Sequence, residues 1–331
     1  MNNRLLYIDY VRAFSILFVV LHHSQLPDPY SSIAYFLCLP AFFAVSGYLK
    51  KDVPLGVFVH NRIRRLIVPY FIFGLVAYCI WLFSRHYGKD AADVMIWWQP
   101  LAGLLYGSNN GWLVQNPPLW FLTCLFSVEL LYAIICKYVK NLYWHWGIVL
   151  LIWIAGWINS VFNPILLPWG LGAAMIMLPL YAAANFLKKI DLCINSWIYV
   201  TMSILVPILG CVSYMLNPKI QISKDCFGNM PIFMIGVFSV AALWIITGKW
   251  LEKVPYRFKM LEIIGSNTLT ILCLHMPVFT IIKGITFFLL HAPLSIYETV
   301  WGSLLLFAGS FVIVLPTCLF LKRYVPWLVG R

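Results

Sequence analysis

Long runs of apolar residues, separated by short polar segments, make up most of the chain. Ten of these runs approach the length of about twenty residues that an α-helix needs to cross the hydrocarbon core of a bilayer. A β-barrel would instead show segments of about ten residues with alternating hydrophobicity, a pattern that this sequence lacks. The sequence therefore predicts an all-α integral membrane protein with about ten transmembrane helices, at roughly 8–26, 31–50, 66–84, 118–136, 145–162, 165–187, 196–216, 230–250, 264–290 and 297–320.

Prolines indicate where two of these helices bend or break. Pro277 lies inside the ninth run, and Pro168 and Pro179 lie inside the sixth. A proline in a helix interior removes a backbone hydrogen bond, so a kink or an interruption is expected there. Residues 91–107 are apolar but too short to span a bilayer, and they predict an interfacial or re-entrant segment.

Composition supports the membrane class and excludes several others. The 331 residues are 62% hydrophobic and 10% charged, whereas a soluble domain carries about a quarter charged residues. Lysines and arginines that border the spans account for the net charge of +12, so no nucleic-acid partner is expected. The nine cysteines lie mostly in apolar runs without CxxC spacing, which predicts neither a metal site nor a disulfide framework.

The distribution of positive charge predicts the orientation. With the N-terminus inside, the inner segments hold seventeen lysines and arginines and the outer segments hold five, while Arg12 falls within the first span. Because positive residues are enriched in cytoplasmic loops, both termini are predicted to be cytoplasmic. We expect residues 1–331 to form one membrane-embedded domain, with no cleavable signal peptide and no appended soluble domain.

The first span carries the most informative polar residues, Asp9, Arg12 and His23. A charged group inside a span costs at least ~2.5 kcal/mol, so such groups usually have a function. Arg12 and His23 are separated by almost three helical turns and leave the helix on nearly the same side, with Asp9 within about 60° of that stripe. His23 would lie ~16 Å beyond Arg12. A path of this length suits an elongated anionic donor such as acyl-coenzyme A.

Structural roles are an alternative for parts of this stripe. Asp9 and Arg12 lie one turn apart and could form only an interfacial ion pair, an interpretation that the sequence leaves equally open. His23 could bond to a neighbouring helix, although its depth and alignment favour a functional role. His22 points roughly 100° away and is interpreted as structural.

Two further segments carry candidate donor-binding residues. Ser46 and Gly47 end the second span in FFAVSGYLKK, where a small residue permits close helix approach and the hydroxyl provides a contact. Arg62, Arg64 and Arg65 precede the third span, and guanidinium groups bind phosphates in bidentate fashion. The same arginine cluster could equally anchor the protein to anionic lipid.

Three more residues are candidates for lining a cavity. Glu129, deep in the fourth span, needs a partner, and structural pairing with Arg12 or a loop arginine is favoured over chemistry. Trp120 is typical of interfacial aromatic residues, and the tryptophans of residues 91–120 could stack on sugar rings. His275 either lines a cavity with the histidine of the first span or satisfies a carbonyl freed by the following proline.

In this order, these motifs resemble the acyltransferase-3 family of bacterial inner-membrane proteins. Members of this family move acetyl or other acyl groups onto sugars of polysaccharides, O-antigens and related glycans. The resemblance covers nearly the whole chain, and its compact length and PLWFL motif are similar to the sugar O-acetylases, including the fucose 4-O-acetylase-like group. It is carried by the Asp9, Arg12 and His23 pattern, FFAVSGYL, RIRRLIVPYF, PLWFL and the GSN to LHMP run at 265–277.

The resemblance implies that His23 is catalytic, that Arg12 is essential to the donor site, and that Arg62 and Arg65 bind coenzyme A. His23 would act as a general base, which we favour, or as a transient acyl carrier. The implied donor is acetyl-coenzyme A as a substrate, with no permanently bound cofactor. The implied acceptor is a glycan or a lipid-linked sugar at the bacterial inner membrane.

Two other function classes fit the same residues. A transporter or flippase of a glycan or small molecule would use Asp9, Arg12, Glu129 and His275 as a proton or substrate path. A membrane scaffold or sensor would need none of these side chains, and substitution of His23 would then leave the phenotype intact.

Overall fold

The computed structural model describes residues 5–87, 95–162, 166–189, 196–217 and 220–330. This part of the chain is almost entirely helical, which confirms the predicted all-α class. The helices are α1 (Leu6–His23), α2 (Tyr30–Cys38), α3 (Pro40–Tyr48), α4 (Leu55–Arg62), α5 (Val68–Ser84), α6 (Gln99–Tyr106), α7 (Trp120–Tyr138), α8 (Leu142–Phe162), α9 (Leu171–Lys189), α10 (Ser196–Leu216), α11 (Met230–Lys253), α12 (Lys259–Ser266), α13 (Thr268–Phe288) and α14 (Val300–Tyr324).

Ten helical segments of the described residues are long and apolar enough to cross a membrane, as the sequence predicted. Ten crossings return the chain to the side on which it starts. The beginning of α1 and the end of α14 therefore share one face of the bundle, which we call the terminal face, and the opposite side is the distal face. That the terminal face is cytoplasmic stays a prediction from the charge distribution.

The third span differs from its predicted bounds, because it starts at Leu55 and continues without a loop to Ser84. Pro69 lacks a backbone N–H and cannot bond to the carbonyl of Arg65 four residues earlier. The helix widens there into a π-helical turn at Ile63–Ile67. Turns of this kind are frequent at functional sites. This one carries Arg64 and Arg65 and directly follows Arg62, the last residue of α4, so the arginine cluster lies inside a helix where the sequence predicted a loop.

The predicted start of the ninth span is also wrong, because the residues at that start belong to α12, which is separate from α13. Asn267 adopts a non-helical backbone conformation between them, and its side-chain amide donates to the carbonyl of Ile263 at 2.6 Å. Asparagine side chains compete with the helix for backbone partners in this way. The break brings the backbone of residues 265–270 to the edge of a cavity.

The three prolines differ: Pro168 lies at an interruption, with a non-helical backbone at the following Trp169, whereas Pro179 and Pro277 lie inside continuous helices. Helix α13 continues through Pro277, and the Cys273 carbonyl that this proline leaves without a helical donor accepts a hydrogen bond from Asn116 Nδ2 at 2.8 Å. Helix α9 likewise continues through Pro179, and Pro168 starts a short 3₁₀ turn before it.

Helix α1 lies at the centre of the bundle, packed against α2, α11, α12 and α13. An ideal Cβ built on Gly265 would lie 1.8 Å from the carbonyl oxygen of Asp9, so only glycine lets α12 reach the α1 backbone here. Helices α8, α10 and α14 are mostly exposed on the outside, consistent with contact to lipid. The stripe of polar residues on α1 therefore faces protein.

The segment predicted to be interfacial or re-entrant contains the short helix α6. It packs against α5, where the Tyr70 hydroxyl donates to the carbonyl of Leu104 at 2.6 Å. Residues 91–94 of that prediction lie outside the described part of the chain.

Candidate active site

A cavity of about 350 Å³ lies in the terminal half of the bundle, between α1, α3, α7, the π-helical turn and the α12–α13 break. We call it the arginine cavity because it gathers Arg12, Arg62 and Arg65 from two separate spans. Other lining residues include Ile16, Ser46, Phe121, Glu129, Asn267, Leu272, Val329 and Gly330.

Glu129 is held in this cavity by two polar contacts. Its Oε2 lies 3.0 Å from Arg62 Nε, and its Oε1 accepts a short hydrogen bond from the Ser46 hydroxyl. The carboxylate is fully buried, so these contacts offset part of the cost of removing it from water. The sequence favoured structural pairing of Glu129 with an arginine, and the geometry agrees.

The charges that line the arginine cavity do not cancel. Of the described residues that line it, three are arginines and one is a carboxylate. Asp9 is buried next to Arg12 and attracts its guanidinium, but its side chain does not line the cavity. The cavity walls therefore present a net positive charge to an anionic ligand.

Arg64 does not join this group, although the sequence placed it with the other two arginines. It is exposed and is absent from the cavity wall, because consecutive helical residues point in different directions.

The small motif at Gly47 has the packing role that the sequence suggested. An ideal Cβ on Gly47 would lie 2.2 Å from the Tyr181 carbonyl oxygen.

A second cavity, of about 200 Å³, surrounds the end of α1 in the distal half. We call it the histidine cavity. Residues of the loop at 220–224 form one of its walls, where Ser223 N–H donates to the Tyr35 hydroxyl at 3.1 Å and Asn109 Nδ2 donates to Ser223 Oγ at 3.2 Å. Its lining includes His22, His23, Ser32, Tyr35, Asn109, Trp120, Gln221 and Lys224.

His275 approaches His23 from behind this cavity. The two imidazole ring centroids are 5.5 Å apart. His275 is fully buried, and its Nδ1 lies 3.0 Å from the carbonyl oxygen of Ile271. The sequence left open whether His275 lines a cavity with His23 or satisfies the carbonyl that the proline frees. The structure shows neither: His275 packs beside His23 without lining either cavity, and its partner is the Ile271 carbonyl, whereas the freed carbonyl is bonded by Asn116.

The structure divides the predicted stripe on α1 between two compartments. Arg12 opens into the arginine cavity and His23 into the histidine cavity, and the two cavities share no lining residue. The partition is thin: Leu272 lines the arginine cavity one turn before His275, and Trp120 lines the histidine cavity next to Phe121 on the other side. The prediction of one continuous path is therefore wrong for this conformation.

A model of the acyltransferase-3 family, described as an acyltransferase domain, matches residues 5–323. The chain belongs to the acyltransferase-3 family. No curated protein and no solved structure gives a significant match. The protein is therefore a multi-pass membrane O-acyltransferase.

For this member of the acyltransferase-3 family, sequence reasoning missed several cavity residues. Asn267 carried a usable signal, because GSNT is a polar run inside an otherwise apolar span. Asn109, Gln221 and Lys224 carried none, since only the folded loops bring them to the histidine cavity.

One of the tryptophans considered for stacking on sugar rings reaches a cavity, and the stacking itself stays a prediction. Among the four tryptophans of residues 91–120, Trp120 lines the histidine cavity, and it is largely buried. Trp97, Trp98 and Trp112 are exposed and do not line that cavity.

His22, which the sequence analysis interpreted as structural, does form a hydrogen bond through Nδ1 to Ser31. It also lines the histidine cavity.

Proposed function

We propose that this acyltransferase takes an acetyl group from acetyl-coenzyme A in the arginine cavity and transfers it to a hydroxyl of a cell-envelope sugar in the histidine cavity. The observation that carries the proposal is the placement of these two cavities along one central helix, α1, whose middle lines the first with Arg12 and Ile16 and whose end lines the second with His22 and His23. With the terminal face in the cytoplasm of a bacterium, the donor enters from the compartment that contains acetyl-coenzyme A. The acceptor then occupies the distal side of the inner membrane.

The donor site is supported by charge. Arg12, Arg62 and Arg65 converge on one cavity whose lining contains a single carboxylate. Guanidinium groups form short, charge-assisted hydrogen bonds to phosphate oxygens, and the low dielectric of a partly buried site strengthens them. Glu129 fixes the Arg62 side chain in place, so less conformational entropy is lost when a phosphate binds.

The reactive end of the donor must cross the partition to reach His23. Ile16 and Leu272 are the buried apolar side chains of the arginine cavity that lie nearest to the histidines along α1 and α13. We place the path of the pantetheine arm between them. Apolar walls suit this arm because water, which would hydrolyse the thioester, is excluded.

Transfer then proceeds with His23 as general base. Its unprotonated nitrogen takes the proton of the sugar hydroxyl while that oxygen forms a bond to the thioester carbonyl carbon. The carbon–sulfur bond breaks, the electron pair leaves with sulfur, and the coenzyme A thiolate takes the proton from the His23 imidazolium, which restores the neutral base. This route needs no stable acyl-histidine, which is why we favour it over nucleophilic catalysis.

The histidine cavity suits one sugar ring. Its volume of about 200 Å³ is below the ~300–1,000 Å³ of pockets for drug-sized ligands. The Trp120 indole offers a flat apolar face, and the amides of Asn109 and Gln221 offer hydrogen-bond donors and acceptors to ring hydroxyls. A longer glycan would extend past the 220–224 loop.

The test compares envelope glycans by mass spectrometry from cells that express wild-type protein, the His23→Ala variant or no protein. We expect an acetyl mass shift with wild-type protein alone. His86→Ala is the matched control, since His86 is exposed at the distal end of the third span. Full acetylation by a correctly inserted His23→Ala variant would refute the proposal.

A further inference from the structure

The protonation of His275 follows from its hydrogen bond. Its Nδ1 lies 3.0 Å from the Ile271 carbonyl oxygen, which can only accept, so Nδ1 carries the proton. A second proton on this ring would create an imidazolium inside an apolar bundle, at a large cost. The Nε2 atom therefore has a free lone pair. That atom is fully buried and bonds to no described residue.

His23 has a ring N–H that needs a hydrogen-bond acceptor. Across the described ranges, neither of its ring nitrogens makes a hydrogen bond, although its ring lies 4.8 Å from that of His22 and 5.5 Å from that of His275. The Nδ1 of His22 is already engaged by Ser31. Among the described histidines, His275 is the one with a fully buried ring nitrogen that lacks a partner, which favours its Nε2 as the acceptor for an N–H of His23. A ring-centroid distance of 5.5 Å is compatible with a hydrogen bond between nitrogens on facing ring edges.

We propose that His275 is a positioning residue that accepts a hydrogen bond from His23 and so fixes which nitrogen of His23 faces the acceptor hydroxyl. The inference rests on the proposed function. With one nitrogen donating to His275, the other must carry the lone pair and points toward the histidine cavity. Bases oriented by a third group recur in enzymes that activate hydroxyls.

The same hydrogen bond assists the reaction after the proton moves. When His23 takes the proton of the hydroxyl, both of its nitrogens carry hydrogen, and the bond to His275 Nε2 becomes charge-assisted. No proton passes through His275, because its Nδ1–H stays with the Ile271 carbonyl. A neutral imidazole provides this support without a further buried carboxylate, which would be costly in a membrane span.

The test uses two amide substitutions that replace different halves of the imidazole. In His275→Gln the longer side chain places an amide oxygen near the position of Nε2, so an acceptor for His23 is retained. In His275→Asn the amide reaches only the position of Nδ1, where it can still donate to Ile271. The control is Thr280→Val, which removes a hydrogen bond to the Met276 carbonyl on the same helix, away from both cavities.

Purified variants in lipid nanodiscs are compared by kcat and KM for acetyl-coenzyme A, with deacetylated envelope glycan as acceptor. We expect kcat of the Asn variant to fall about 10- to 100-fold below that of the Gln variant, the range typical of residues that orient a functional histidine. The KM for acetyl-coenzyme A should stay within about twofold, because His275 does not line the arginine cavity. The Thr280→Val variant should match wild type.

Equal kcat values for the Asn and Gln variants overturn the inference, since a space-filling histidine would predict them. If the Asn variant does not elute as a monodisperse protein, the Gln variant decides: kcat within about tenfold of wild type supports the inference, and a larger loss overturns it. Failure of the proposed function gives a different result. Either the wild-type protein shows no acetyl transfer, or the His23→Ala variant retains activity.

Discussion

The arginine cavity and the histidine cavity contact the same helix but are lined by chemically different residues. The first collects three guanidinium groups around one carboxylate at points where helices widen or break, near residues 63–67 and 267. The second is lined mainly by neutral polar and aromatic side chains and is walled by a distal loop. Under the proposed function, the contrast teaches that binding of a charged donor and recognition of a neutral hydroxyl would be separated along one α-helix, with about 16 Å between Arg12 and His23.

The strongest test of this comparison substitutes one residue in each cavity and asks whether the two variants lose different properties. We expect His23→Ala to lower kcat by about 10²–10⁴-fold, the usual contribution of a general base, while the Kd for acetyl-coenzyme A stays unchanged. Arg12→Ala should instead weaken acetyl-coenzyme A binding. Isothermal titration calorimetry and thiol release measure the two quantities. Parallel losses of binding in both variants would show that the cavities do not act separately.

Filling the partition should separate the cavities permanently. Leu272→Trp places a bulky side chain where we expect the pantetheine arm to pass, so transfer should fall about 100-fold, as for other misplacements of reacting groups. Donor affinity should remain, because the arginines are untouched. Leu272→Met, which conserves volume, is the control. Normal transfer by a folded Leu272→Trp variant, measured as acetylated glycan, would place the path elsewhere.

The smallest expected effect is the difference in donor affinity between substitutions of two neighbouring arginines. Arg65→Ala removes a charged donor that lines the arginine cavity and should raise the Kd for acetyl-coenzyme A about tenfold, in line with a hydrogen bond to a charged group. Arg64→Ala removes an exposed charge outside the cavity and should change Kd by less than about twofold. The difference should shrink at high salt. Equal effects would mean that the arginines act only through surface charge.

The sequence predicted the spans well because hydrophobic length depends on local residues alone. It placed Arg12 and His23 on one side of α1 from helical periodicity, and it identified Glu129 as a residue that needs a partner. It failed at the backbone of two segments: Asn267 separates two helices, and the arginines predicted to lie in a loop belong to a continuous helix that widens before Pro69.

The division into two cavities was beyond sequence reasoning for a related physical reason. Periodicity gives the direction in which a side chain leaves its own helix, but not which neighbouring helices close the space around it. Phe121 and Trp120 are adjacent in sequence and line different compartments. Such a partition depends on which residues of other segments surround the start of α7 in the folded chain, and no local pattern records that.

Residues 326–330 fold back from α14 onto the donor side. The turn at Pro326–Val329 brings Val329 and Gly330 to the wall of the arginine cavity, and an ideal Cβ on Gly330 would lie 2.9 Å from the carbonyl oxygen of Arg65. Any polypeptide joined after this turn, including an affinity tag or a fluorescent reporter, would emerge beside the arginine cavity, where the proposed donor would enter. Fusions for purification or imaging therefore belong at the other end of the chain.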